Sequence, residues 1–234
     1  MKVLNKDIGQ DIDAMYQLVA GRLAAADREL QVVAYDGEGL SDVEWSDDAV
    51  TISLHSGVPT HALAHVLAVA LQHVRQSLDG YPRITEPEGD QPEGSELVRS
   101  SLRELVLESD AEAQLVSLGL DRTWENEQRH QAMKTLLKAP PADWDEEDSL
   151  GNLFIALQYA RMSLNHPPEM WRALQKRTEE VLPNAAARGE QALAAVKKRR
   201  WGSARAVLES FVSVRDELGI DDLVQVEDAY GEPQ

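Results

Sequence analysis

PTHALAHVLAVALQHVRQSL, residues 59 to 78, holds ten consecutive residues from Ala62 to Leu71 with one polar member, His65, and no charge. A helix that is apolar nearly all round is a buried helix, so neighbouring elements must cover it. His61 and His65 stand four apart and therefore share a face. Any chemistry in this part of the chain belongs there.

Upstream, Ala49–His55 (AVTISLH) alternates, with Val50, Ile52 and Leu54 facing one way and Thr51, Ser53 and His55 the other. Leu30–Tyr35 (LQVVAY) is a second strand candidate. Asp36 to Asp48 between them carries six acidic residues and no basic one, and reads as a hairpin or a loop with a short strand around Val43–Trp45. An opening helix is expected over Asp7–Ala26, with Ile8, Ile12, Met15, Leu18, Val19 and Leu23 at helical spacing. Ser56-Gly57 ends the second strand, and Pro59 or Thr60 starts the histidine helix.

Downstream, Asp79–Ser95 is rich in Gly, Pro and Glu without periodicity and reads as a long connection. A helix over Ser95–Leu118 stops at Gly119, a plausible C′ glycine. At 100° per residue its apolar stripe is Val98, Leu102, Leu105 and Val116. Glu112 falls inside that stripe, Glu108 lies at its edge, and Asp110 points away. Thr123 caps a further helix ending before Pro140-Pro141. Helices then follow over about Glu147–Leu164, Pro168–Leu182, Asn184–Arg200 and Ser203–Leu218, the last stopped by Gly219. The fold class expected is α+β and predominantly helical, with a small sheet packed on the buried helix and a C-terminal helical bundle. The organisation expected is an α+β domain over 1–140, a helical extension over 141–220 and a flexible acidic tail over 221–234.

The composition narrows the function classes. The chain has 234 residues, no cysteine and a formal net charge of −18. Disulfides and thiolate metal sites are excluded, and with no apolar run resembling a leader or a span a cytoplasmic location is expected. So acidic a surface disfavours nucleic acid and anionic membrane as partners. It also leaves open mimicry of DNA towards a nucleic-acid-binding protein. Lys197, Lys198, Arg199 and Arg200, beside Trp201, form the one dense basic run. They could meet phosphates with a stacking Trp, or pair with an acidic segment such as Asp143–Asp148, or end a helix in solvent. His130 and His166 read as solvent-side or helix-entry residues.

Glu112 on a core-facing line is costly unless it is paired, hydrogen-bonded or bound to a metal. Two His four apart on one helix plus a carboxylate from the next is a mononuclear zinc pattern; the plainer alternative is a His–Glu hydrogen bond. The segment Leu63-Ala-His65-Val66-Leu-Ala-Val69-Ala-Leu-Gln-His73 resembles the active helix of zincin metallopeptidases, which reads L-A-H-E-L-A-H-A-L in compact bacterial regulatory members. Glu108-Ser-Asp-Ala-Glu112-Ala-Gln-Leu-Val-Ser-Leu-Gly-Leu-Asp121 is similar to the acidic segment that follows in that family. The resemblance spans Leu30–Asp121. It implies His65 as the first ligand and Glu112 as the third, with Val66 where the general base stands and Val69 where the second His stands. A shifted register pairs His61 with His65 and puts Ala62 at the base position.

Either register lacks the proton acceptor that hydrolysis needs. The leading expectation is therefore a degenerate, non-catalytic zincin-like protein that binds a protein or peptide, with strand Ala49–His55 receiving an extended peptide beside the old cleft. Most simply it carries no cofactor, with zinc as the alternative ligand. Rival readings are a zinc-dependent hydrolase using His61, His65 and Glu112, with Glu108 (and His73 nearby) in the cleft, and an acidic helical interaction protein.

Overall fold

The structure is a computed structural model that describes residues 2–37, 39–199 and 201–234. The fold is α+β and predominantly helical. The chain forms two compact units that interleave in sequence: Met1–Asp79 with Gln114–Glu125, and Gly80–Ala113 with Asn126–Gln234. The return of Gln114–Glu125 to the first unit lies beyond any composition boundary, so the expected 1–140, 141–220 and 221–234 segments follow a different division.

In the first unit a two-residue ladder, β1 (Lys2–Val3) with β2 (Lys6–Asp7), precedes helix α1 (Gln10–Ala24). A three-stranded sheet follows, built of β3 (Glu29–Tyr35), β4 (Ser41–Trp45) and β5 (Ala49–His55). Its order is β3-β5-β4, with β3 parallel and β4 antiparallel to β5. Strict alternation puts Val50, Ile52 and Leu54 at 0% exposure on one face of β5. They join one hydrophobic cluster with Ile12, Val19 and Leu23 of α1 and with the histidine helix α2 (Thr60–Leu78). From Ala62 through Gln72 every residue of α2 except Ala64 is buried. This is the outcome its uncharged sequence requires. Leu18 departs from the expected α1 stripe and is 56% exposed.

In the second unit α6 (Leu150–Asn165) occupies the core, with Ile155, Ala156, Leu157, Tyr159 and Ala160 all fully buried. Around it pack α3 (Ser95–Arg103), α7 (Pro168–Val181) and α8 (Pro183–Lys197), and α9 (Ala204–Leu218) packs on α8. Glycine at 189 permits the close approach of α8 to α6, since a Cβ there would lie 2.7 Å from Cδ1 of Tyr159. Gly219 stops α9 in the left-handed region, as its position in the sequence suggests.

Two expectations fail here for identifiable reasons. The single helix over Ser95–Leu118 is broken: α3 runs into a π-helical turn at Glu104–Glu108, then α4 (Ser109–Leu115), then a 3-10 turn at Val116–Leu118. A π turn takes up an extra residue, which rotates everything after it by about 100° relative to a continuous α-helix. Asp110, expected to point away, is consequently at 0% exposure and accepts a 2.6 Å hydrogen bond from the Gly202 N–H. Val116, expected in the apolar stripe, is 71% exposed.

The acidic tail is likewise not frayed. Strand β7 (Gln225–Glu227) pairs antiparallel with β6 (Arg83–Thr85), and Ile220, Leu223, Val224 and Val226 are buried. Both strands have three residues, too few for alternation to register in sequence.

Candidate functional site

Helix α2 starts at Thr60 after an extended Pro59, which places His61 in its first turn, exposed, and His65 one turn later, 2% exposed. The segment Gln114–Glu125 belongs to the same unit. It ends in the first turn of α5 (Thr123–Leu136), which begins after Asp121 accepts a 2.9 Å hydrogen bond from the Thr123 N–H. That turn presents Glu125, 4% exposed, and its Oε2 meets Nδ1 of His65 in a buried ion pair or hydrogen bond. The bonds from Thr123, backbone first and hydroxyl second, hold the exposed Asp121 carboxyl below the usual carboxylate range. The positive potential of His61 and His65 adds to this. Two imidazoles on α2 and two carboxylates spaced four apart, Asp121 and Glu125, thus share one neighbourhood of the first unit.

The sequence points to Glu112 as the acidic partner of His65. Glu125, the partner within the unit, was missed because α5 is polar and its first turn carries no apolar stripe to orient it. A Glu in the first turn of a helix is an ordinary sequence feature. Glu112 is itself buried at 3% on α4. His65, Glu112 and Glu125 each offer a donor type that zinc accepts. Val66 is 1% and Val69 8% exposed. Neither side chain can take a proton or bind a metal.

No protein-family model, no curated protein and no solved structure matches this chain. The residues alone therefore carry the functional argument.

The remaining candidates lie elsewhere. His73 is half-buried and bonds Oε1 of Gln76 at 2.8 Å. Glu108 stands in the π turn of the second unit, where it accepts hydrogen bonds from both Arg129 and Arg161. That ion-paired cluster, which also includes Glu104 on Arg161, holds Glu108 as a counter-ion. In the basic run Lys197 and Lys198 are exposed, Arg199 reaches Glu209 at 3.2 Å, and Arg200 lies outside the described residues. The acid that pairs with Arg199 is thus on α9. Trp201 packs against the core of its unit, so its ring is not presented as a stacking platform. Among the described residues no helix is long and apolar enough to cross a membrane.

The sheet corrects one further expectation. Strand Ala49–His55 was expected to receive a peptide, but β5 is the central strand, and both its edges are taken by β3 and β4. Backbone groups paired on both sides have nothing to offer an added strand. The open edges are those of β3 and β4.

Proposed function

We propose that the chain is a non-catalytic, zincin-like binding protein that takes an extended, basic peptide segment along the outer edge of β4. The observation that carries the non-catalytic part is the commitment of His65 to Glu125 inside a dry core, with valine where the general base of a zincin would stand. A buried imidazole bonded to a carboxylate holds two segments of a fold together. With both partners buried, the ring is closed to the water and substrate that a general base must reach.

The peptide part rests on the sheet. Edge strand β4 presents exposed Asp42 and Glu44, and the segment Asp36–Asp48 to which it belongs contains six acids and no base. Main-chain hydrogen bonds to such an edge supply affinity, and the carboxylates select lysine and arginine in the added strand.

The test has two arms. Purified protein analysed for metal is expected to hold well under one zinc per chain and to leave a mixed peptide library uncut. Stoichiometric zinc with cleavage lost in His65→Ala refutes the non-catalytic reading. A lysine-rich peptide of strand-forming sequence is expected to bind, with affinity falling on Asp42→Lys/Glu44→Lys and with added salt. Binding unaffected by that double charge reversal refutes the β4 edge.

A second reading, a zinc-binding site, is favoured by the buried donors. His65 and Glu125 would supply an imidazole nitrogen and a carboxylate oxygen, and zinc there would hold α2 to the start of α5. Glu112→Gln and Glu125→Gln, each measured for zinc content, separate the ligand sets.

A further inference from the structure

The second unit has a partly open cavity of about 250 Å³ between α5 and α6. Its wall combines apolar side chains, Met133, Phe154 and Met162 among them, with the guanidinium groups of Arg129 and Arg161. Among the described residues no acidic one lines it, although the chain as a whole carries −18. Arg161 is 9% exposed, and its Nε–H is sealed from solvent without a hydrogen-bond acceptor. Its Nη atoms are held by Glu104 and Glu108, and Arg129 also reaches Glu108. Neither acid is among the lining residues, so the carboxylates hold the two guanidinium groups from behind the wall. An apolar pocket with a few convergent polar groups is the usual form of a small-molecule site. A guanidinium fork matches a carboxylate in geometry as well as charge.

We propose that this cavity binds a small amphipathic carboxylate, its anionic head on Arg129 and Arg161 and its hydrocarbon part among Met133, Phe154 and Met162. A water-sized group takes up ~30 Å³ in the liquid, so this cavity of about 250 Å³ holds roughly eight of them, the size of a medium-chain or small aromatic acid. The site is independent of the peptide edge and of the His65 pair, and its test reads neither.

Octanoate titrated into the full chain, followed calorimetrically or by chemical shifts, is expected to saturate at one molecule per chain. Octanol, of equal length without the charge, is expected to bind at least about tenfold more weakly, the order of a charge-assisted hydrogen bond. Ala132 lines the cavity from an exposed position on α5, and Ala132→Trp fills the space from the rim. It is expected to abolish octanoate binding while circular dichroism and Tm stay as in the parent. Should that variant fail to fold, Arg129→Gln is read in its place and is expected to bring octanoate down to the affinity of octanol. Absence of saturable octanoate binding, equal affinity for octanol, or binding unchanged in the variant that folds overturns the proposal.

Discussion

His65 and Glu125 show how much a single contact constrains this protein. A buried donor or acceptor that loses its partner costs about 1–3 kcal/mol, so Glu125→Leu is expected to lower stability by that order in a urea titration. His65→Phe combined with Glu125→Leu should recover part of the loss, because neither member of the pair is then left without the other. Strict additivity of the two losses would show that the pair contributes nothing jointly. His130 gives a pH prediction. Burial, and then the charge of Lys134, hold its pKa below the ordinary 6.5, while Nε2 of His166 faces its Nδ1 at 3.4 Å. The ring centres are 5.6 Å apart, so the nitrogens point at each other across the gap and neither ring covers the other's face. The folded state therefore resists a proton that the unfolded chain accepts. The stability this contributes is full above pH 6.5 and is lost as pH falls through the lowered folded-state value. His130→Gln should flatten that slope in chemical denaturation measured across the range, and an unchanged slope would assign it to other groups.

At the level of elements, the π turn at Glu104–Glu108 has the largest consequences. It exposes Val116, buries Asp110, and sets Glu104 and Glu108 against Arg161. The apolar period read from sequence assumes one helix type throughout, and one inserted residue invalidates it downstream. The close approach of α8 to α6 is equally specific. A Cβ at position 189 would stand 2.7 Å from Cδ1 and 2.8 Å from Cβ of Tyr159, a ring fixed further by hydrogen bonds to Glu190 and from Gln175. Gly189→Ala is therefore expected to cost about 1–3 kcal/mol through overpacking, despite improving helix propensity. A neutral or stabilising result would mean that α8 can move away from α6 freely.

For the molecule as a whole, net charge and the C-terminal segment govern stability. At −18 the folded chain repels itself, and raising salt from about 0.01 M to about 0.1 M shortens the screening length from about 30 Å to about 10 Å. Tm is expected to rise over that interval, and a fall would mean that attractive pairs such as Arg161 with Glu108 outweigh the general repulsion. Removing residues 221–234 takes away Leu223, Val224 and Val226, each a buried side chain worth about 1.5–3 kcal/mol. The truncated chain should unfold at distinctly lower denaturant, where loss of a frayed tail would leave the midpoint unchanged.

Periodicity and punctuation were sufficient for much of this. The uncharged run Ala62–Leu71 required a buried helix, the alternation of Ala49–His55 required a half-buried strand, and Gly119 and Gly219 marked helix ends where they stand. What the chain alone did not settle depends on partners distant in sequence. These are the central place of β5, the pairing of β6 with β7 across more than half the chain, the contact of His65 with Glu125, and the rotation imposed by the π turn. Local preference fixes the type of an element and which face is apolar. Which strand lies beside which, and which acid meets a buried imidazole, are settled only when those faces close on one another and exclude water.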